Sequence, residues 1–454
     1  MKIINLIAKW CRECNELYKL YEDRDVKKRI EEFEVEFYDI DEYPHLLERF
    51  NFGGLPSIAF VEDDKLYYGF AGVINKDEFT NILDSIRDYT PVKFREISEE
   101  TPNIGEVNNS DLSRVLTLIE KNIDWLDGGF LGDYKLFTPS EYYFLLRIYM
   151  RKGVEGYLKI VDHTYTKIYM SGFWIRDLGG FSRFSYGRDW GKPDKIILSE
   201  LNADAFKSIY FLRRYTGKRM YETLASRLAM LFYRGLYKDG FLRGIYRFDD
   251  KLVIDDRMIP HINYYTASSL LDISRYGEFK RLGSRALKVI SKFKHEELED
   301  KYRTLYTYTA VLECYVNAYM YSRSEEYLDR ALETIKIIRE FKGRGGAYRD
   351  VKGGLFGSDI VRMIFKLNSR LAHTFLKIYL VTQDETFRNE AREILNYYKY
   401  LYSKYAPEVG LYGLALDTYV NGLPVIEISK YDRGHSLKKI RDTIPGEVIF
   451  KWID

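Results

Sequence analysis

Cysteine is scarce, three residues in 454, which excludes the disulfide framework that holds small secreted domains together. No apolar run approaches the roughly 18 residues needed to span a bilayer. The opening MKIINLIAKW has too short an apolar run, and no small-residue cleavage site, for a secretory signal. A reducing, cytoplasmic setting is therefore expected. Neither sign of charge dominates, with 70 Lys and Arg against 68 Asp and Glu, so no global field favours nucleic acid or an acidic membrane. Phosphate loops are missing too: the GGLP and GGF turns lack the lysine and hydroxyl of a Walker motif. No basic stripe interleaved with aromatics marks a nucleic-acid groove. What is abundant is tyrosine, at 41 residues, which fits either stacking surfaces for sugars or a compositional bias.

At this length two or three domains are expected. Residues 2–8 (KIINLIA) read as a strand, followed by a helix opening at CRECNELYKLYED. Then come a charged helix (VKKRIEEF), a strand (EVEFYDID), a helix (YPHLLERF), a GGLP turn, a hairpin (SIAFV, KLYYGFAG) and a closing helix (NKDEFTNILDSIRD). This order describes a small α/β domain over 1–90. Residues 91–111 carry two prolines and no periodicity, and read as a linker. From 112 to 410 nearly every segment has helical spacing, broken by glycine–aromatic turns such as GGFLG at 128, GGFSR at 179 and DGFLRG at 239. Their interval, about 50–65 residues with one about twice that, is the length of two antiparallel helices with loops, so about six helical hairpins and an (α/α)6 toroid are expected. Residues 411–454 hold a strand (LPVIEIS), a short helix (HSLKKIRD) and a strand (EVIFKWI), a small βαβ cap.

Cys11 and Cys14 lie three apart at a helix N-terminus. Free amides and the helix dipole there lower the first thiol's pKa, so Cys11 would attack as thiolate and Cys14 would resolve the mixed disulfide. A zinc site needs two further ligands, and the only other cysteine, Cys314, lies in a distant helical segment, with His45 the nearest histidine. No metal or cofactor is expected. From Ile7 onward the chain resembles thioredoxin. IAKWCREC matches that family's tryptophan-preceded active-site run, YDIDEYPHLLERF its aspartate-rich strand end and next helix, and GGLPSIAFVEDDKLYYGFAG its cis-proline loop and hairpin. The resemblance covers residues 2–88. It implies that Trp10 and Pro56 face a substrate at the dithiol. Three departures stand out: the first strand and helix of a full thioredoxin are missing, Asn5 replaces the buried proton-relaying aspartate, and Arg12-Glu13 replaces Gly-Pro.

The densest constellation beyond residue 112 is DLGGFSRFSYGRDWGKPDK, 177–195. Arg183 could hold a carboxylate or hydroxyls, while Phe184 and Trp190 offer stacking faces. With GGFLGDYKLF (128–137), Asn202-Ala203, LNS (367–369) and the terminal βαβ segment, it resembles the family of proteins like spermatogenesis-associated protein 20, which joins a thioredoxin-like domain to a six-hairpin barrel. That resemblance spans the chain and implies binding roles for Lys135, Arg183, Phe184, Trp190, Asp194, Asn202 and Asn368. The family's His-Phe-Glu-Lys after the proline is replaced by Asp194, Lys195, Ile196 and Ile197. Acid–base chemistry in the barrel would need two spaced carboxylates or a histidine pair. Asp133, Asp177, Asp194, Glu200 and Asp359 are candidates, with His163, His261 and His373 in or beside predicted helices. The expected function is a thiol–disulfide oxidoreductase whose barrel binds a client or ligand. The alternatives are a carbohydrate-active barrel, hydrolase or epimerase, and a non-enzymatic interaction protein. Expected partners are a protein thiol or disulfide client and a small sugar-like ligand, with no nucleic acid and no membrane.

Overall fold

A computed structural model describes residues 1–63, 65–93, 105–248, 251–293, 297–352, 362–431, 439–440 and 446–453. Contacts divide the chain into two units: 1–100 with 298–306 and 349–364, and 101–297 with 307–348 and 365–454.

The first unit is built on a sheet of β1 (Lys2–Ile7), β2 (Glu34–Asp39), β3 (Ser57–Glu62), β4 (Lys65–Ala71) and β5 (Val92–Lys93), in the order β2-β1-β3-β4-β5. β1 pairs parallel with β2 and antiparallel with β3. The helices are α1 (Arg12–Glu22), α2 (Arg24–Ile30), α3 (Pro44–Phe50) and α4 (Lys76–Ser85). Strand side chains alternate between two cores. Ile3, Ile58 and Phe60 pack with Leu17, Phe79 and Leu83 on one face. Ile4, Leu6 and Ala59 pack with Leu46 and Phe50 on the other. Two residues of the expected linker join the sheet as β5, through Val92 and Lys93 beside Leu66 and Lys65.

Segments 298–306 and 349–364 come from the part of the chain expected to be barrel, yet group with the first unit. The reason is polar and buried. Arg49 of α3 grips Asp350 with two nitrogens, at 2.6 and 3.1 Å, both residues being buried. Lys301 reaches Glu42 at 2.8 Å.

The second unit is a ring of six helical hairpins. Outer helices α5 (Asn109–Lys121), α7 (Glu155–Met170), α9 (Arg219–Met230), α11 (Lys280–Lys292), α13 (Glu325–Arg339) and α15 (Glu385–Tyr398) alternate with inner helices. The inner ones are α6 (Pro139–Lys152), α8 (Ser199–Thr216), α10 (Pro260–Ser274), α12 (Leu305–Ser322), α14 (Phe365–Thr382) and α16 (Gly410–Asn421). Outer helices bury one stripe, as Leu282, Ala286, Val289 and Ile290 do on α11, whereas α10 is buried almost all round. Packing of α16 on α6 closes the ring. The helical ring therefore runs on through residue 421, beyond the limit of 410 read from the sequence. Gly410 and Gly413 are close-approach residues: a Cβ at Gly410 would meet the Glu141 backbone at 2.7 Å, and one at Gly413 the Phe144 ring at 2.5 Å.

Three of the glycine–aromatic turns are each locked to the inner helix that follows. Asn202, fourth residue of α8, accepts from Phe181 N at 2.7 Å and donates to Phe181 O and Leu198 O. Asn263 repeats this on Phe241 and Ile259 at the same position of α10, and Asn368 clamps both backbone atoms of Tyr348 from α14. All three are fully buried. Asn263→Ala is expected to cost about 3 kcal/mol, because a buried N–H and C=O lose their partner together; chemical denaturation of the variant measures it. The terminal strands Val425–Ser429 and Ile449–Ile453 pair parallel, as the expected cap requires. Most of the expected helix between them lies outside the described residues.

Candidate functional site

β1 delivers the chain to the dithiol. Cys11 is the N-cap of α1, and its sulfur accepts from Cys14 N at 3.1 Å. Cys11 and Cys14 are joined as a disulfide. Both are buried, at 5% and 2% exposure, between exposed Lys9, Arg12 and Glu13. Trp10 is pinned by its indole N–H on buried Asp41, at 3.1 Å. The Leu55–Pro56 peptide is cis. Because Leu6 lies opposite Ser57, Pro56 falls beside the end of β1, where the chain turns into the cysteines. Ser57 holds that loop, donating to Phe50 O at 2.6 Å and accepting from Phe52 N at 3.1 Å. Structure and sequence thus bring Trp10, Cys11, Cys14 and Pro56 to one corner.

Asn5 is fully buried, accepts from the Tyr21 hydroxyl at 2.9 Å and donates to Glu36 O at 3.1 Å. An amide so held exchanges no proton with the thiols. One helix away, burial and then the Arg49 charge pull His45 down to about 4, with Asp350 acting the other way. A histidine whose folded value lies below its unfolded value of about 6.5 favours the folded state fully above 6.5 and loses that contribution as pH falls toward 4. His45 is therefore expected to titrate near 4 by NMR, and unfolding free energy to fall by about 3 kcal/mol across that window.

The barrel residues expected to bind ligand take other places. Trp190 is 2% exposed, its N–H on Asp127 O at 2.8 Å and its ring edge-on to Phe173, so it offers no stacking face. Lys135 is buried on Asp124 and Phe130 O, at 2.6 and 2.9 Å, securing the first glycine–aromatic turn much as the asparagines secure theirs. Asn202 and Asn368 are turn clamps. Asp194 is half-buried, with its side chain 2% exposed, and pairs with Arg183 at 2.9 Å. Phe184 lies between Tyr134 and Tyr186, ring centres 5.1 and 4.8 Å away, and these tyrosines are 51% and 55% exposed. Of the candidate acids, Asp133 pairs with exposed Arg188, Asp177 with Arg247 and Glu200 with Arg243; Asp359 lies outside the described residues.

The centre of the ring holds what no motif announced. Glu447, from the C-terminal segment, is fully buried and accepts from the Tyr143 hydroxyl at 2.5 Å. Arg147 pairs with it, and Lys207, Lys377 and Arg275 lie at 3.3, 3.5 and 3.6 Å. One carboxylate thus gathers basic side chains from α6, α8 and α14, and from Arg275 at the C-terminal end of α10. Asp272 and Asp417 balance the cluster further, against Lys207, Arg275 and Arg151. A cavity of about 50 Å³ adjoins it, lined by Tyr143, Asp204, Lys207, Glu313, His373 and Lys377 among others. That is well below the roughly 300–1,000 Å³ of a typical ligand pocket. His373 lies here with Arg147 3.3 Å from its Nε2; His163 touches Leu126 O at the surface. Among the described residues no group of three or more His, Cys, Asp or Glu is placed to hold a metal ion, and no helix is long and apolar enough to cross a membrane.

The thioredoxin family model matches residues 1–85. No match to a curated protein is found. Among solved structures, a sugar epimerase from a ruminal bacterium is similar over 64% of this chain and 86% of its own, with a TM-score of 0.53 at 14% identity. Cellobiose 2-epimerase from Bacillus thermoamylovorans gives 0.51 at 14% identity over 64% and 87%, and a D-mannose isomerase 0.52 at 10% over 64% and 85%. The chain thus joins a thioredoxin-like domain to an (α/α)6 barrel.

Proposed function

We propose that the N-terminal domain is a thiol–disulfide oxidoreductase centre, with Cys11 as nucleophile and Cys14 as resolving thiol, and that the barrel serves as a client- or ligand-binding module. The observation that carries this reading is the Cys11–Cys14 bond at the start of α1, with the Cys14 amide on the Cys11 sulfur. In the reduced protein the same amide and the helix dipole favour the Cys11 thiolate. That thiolate attacks a client disulfide, forming a Cys11–client bond and releasing one client sulfur as thiolate. Cys14, deprotonated, then attacks the Cys11 sulfur, restoring the Cys11–Cys14 bond and releasing the second client sulfur. The client gains two electrons, and the dithiol loses two electrons and its two protons. Trp10 and Pro56 would wall the approach. With Asn5 hydrogen-bonded on both sides, the Cys14 proton leaves to solvent or client rather than to a buried carboxylate. Reduced Cys14→Ser protein mixed with oxidised glutathione tests this: it is expected to retain one glutathionyl group on Cys11, which wild type resolves. A folded variant that stays unmodified while its unfolded form reacts argues against the proposal.

A second reading, carbohydrate binding by the barrel, is favoured by the exposed Tyr134 and Tyr186 rings that flank Phe184, since aromatic faces stack on sugar rings. Sugar epimerases are among the proteins of similar fold. Cellobiose or mannose binding that saturates and is lost in Tyr186→Ala would support it.

A further inference from the structure

Lys377 is unlike the other cations at the barrel centre. It is 2% exposed, and α14 carries it about 18 Å along the helix from Phe365, at 1.5 Å per residue. Among the described residues its amine has one carboxylate within 4 Å, Glu447 at 3.5 Å, with Asp272 and Glu313 farther off, and no hydrogen bond. Lys207 beside it is better held: paired with Asp272, 3.3 Å from Glu447, and 4.1 Å above the Tyr143 ring. Three N–H donors on a buried ammonium need partners, and leaving them unmet costs several kcal/mol on general grounds. The neutral amine needs far fewer, and burial pushes Lys377 below the ordinary lysine value, aided by Lys207 and opposed by Asp272, Glu447 and Glu313. Lys207 moves the other way: burial opposes its charge, but Asp272 and Glu447 more than offset that.

The cavity that Lys377 lines contains an unmet acceptor. Asn317 donates to Ser268 Oγ at 2.8 Å and to Ser268 O at 3.2 Å, which fixes the orientation of its amide. Its Oδ1 is buried without a partner and borders the same cavity. The carboxylates there are occupied, Glu313 and Asp204 by Arg370 at 3.0 and 3.3 Å. His373, one turn before Lys377, lies against Arg147 through Nε2, so its proton sits on Nδ1 and the ring is neutral; burial, with the Arg147 charge beside it, holds it well below the usual histidine value.

We infer that Lys377 is a nucleophilic amine that forms a Schiff base with a short hydroxyaldehyde or hydroxyketone, whose hydroxyl donates to Asn317 Oδ1. The amine lone pair attacks the carbonyl carbon and makes the N–C bond. Both amine protons pass to the carbonyl oxygen, which leaves as water, and the N=C bond replaces C=O. No oxidant or reductant is consumed. The cavity's volume of about 50 Å³ favours a small carbonyl compound. This site lies wholly in the barrel and does not depend on the dithiol.

Reductive trapping tests it on the full chain. Glycolaldehyde with cyanoborohydride at pH 6.5, followed by peptide mapping, is expected to label Lys377 at least about tenfold faster than the exposed lysines, since only the free amine reacts. Lys377→Arg removes that label and leaves the remaining map unchanged; Asn317→Ala slows glycolaldehyde labelling several-fold without slowing labelling by formaldehyde, which has no hydroxyl. Labelling confined to exposed lysines and the N-terminal amine, with both aldehydes, overturns the proposal in the wild-type protein alone. Labelling of Lys377 by formaldehyde but not glycolaldehyde overturns the hydroxycarbonyl assignment.

Discussion

Glu447→Gln is expected to lower the unfolding free energy of the barrel by about 3–5 kcal/mol, the cost of stripping a buried charge cluster of one partner. Glutamine keeps the shape and one acceptor but removes the charge that faces Arg147, Lys207, Lys377 and Arg275. Burial opposes ionisation of Glu447, yet Arg147 and Lys207 hold its carboxyl well below the usual range. A carboxyl depressed in the folded state contributes stability above its unfolded value, about 4.3, and loses it as pH falls through the folded one. The gap between wild type and variant should therefore be complete at pH 7 and shrink below pH 4. Urea unfolding followed by tyrosine and tryptophan fluorescence at pH 7 and pH 3.5 measures both; equal midpoints at pH 7 would show that the cluster does not depend on this carboxylate.

Cys11→Ser should abolish thiol–disulfide exchange, by about a hundredfold or more, because a serine hydroxyl is neither ionised near neutrality nor able to form the mixed disulfide. Cys14→Ser has a different signature: the first half of exchange proceeds and the product accumulates. Fold should be little affected in either case, since α1 retains an N-cap oxygen in Cys11→Ser, serine being among the preferred capping residues. Stopped-flow reaction of each reduced variant with oxidised glutathione separates the two steps, and equal rates for wild type and Cys11→Ser would refute the assignment of the nucleophile.

The first domain was legible because each element carries its own short-range pattern: KIINLIA and SIAFV as buried strands, CRECNELYKLYED as a helix capped at its first cysteine. The six-hairpin ring was legible from the interval between glycine–aromatic turns. The purpose of those turns was less so. Asn202 and Asn368 stood out by family resemblance as binding residues, whereas their hydrogen bonds make them clamps, and Asn263 passed unnoticed. A usable signal existed: the aromatic-to-asparagine spacing is 21, 22 and 20 residues in the three turns. Trp190 looked like a sugar platform because sequence gives residue type without burial. The ring centre was not legible at all. Arg147, Lys207, Arg275, Lys377 and Glu447 are scattered over 301 positions, and each alone reads as a solvated charge on a helix or before a strand. Only closure of the ring, through α16 on α6, brings them together. Arg49 and Asp350, 301 residues apart, owe their pairing to tertiary structure too.

The account rests most on the Cys11–Cys14 pair being a reversible couple in the folded protein, though both sulfurs are nearly buried. Equilibrating the native chain in glutathione buffers of graded poise, quenching with acid and counting alkylated thiols tests this directly. The account predicts that Cys11 and Cys14 gain label together, in a single two-electron transition, while buried Cys314 stays unlabelled throughout. A disulfide that stays closed under every buffer, and opens only once the chain is unfolded, would contradict it.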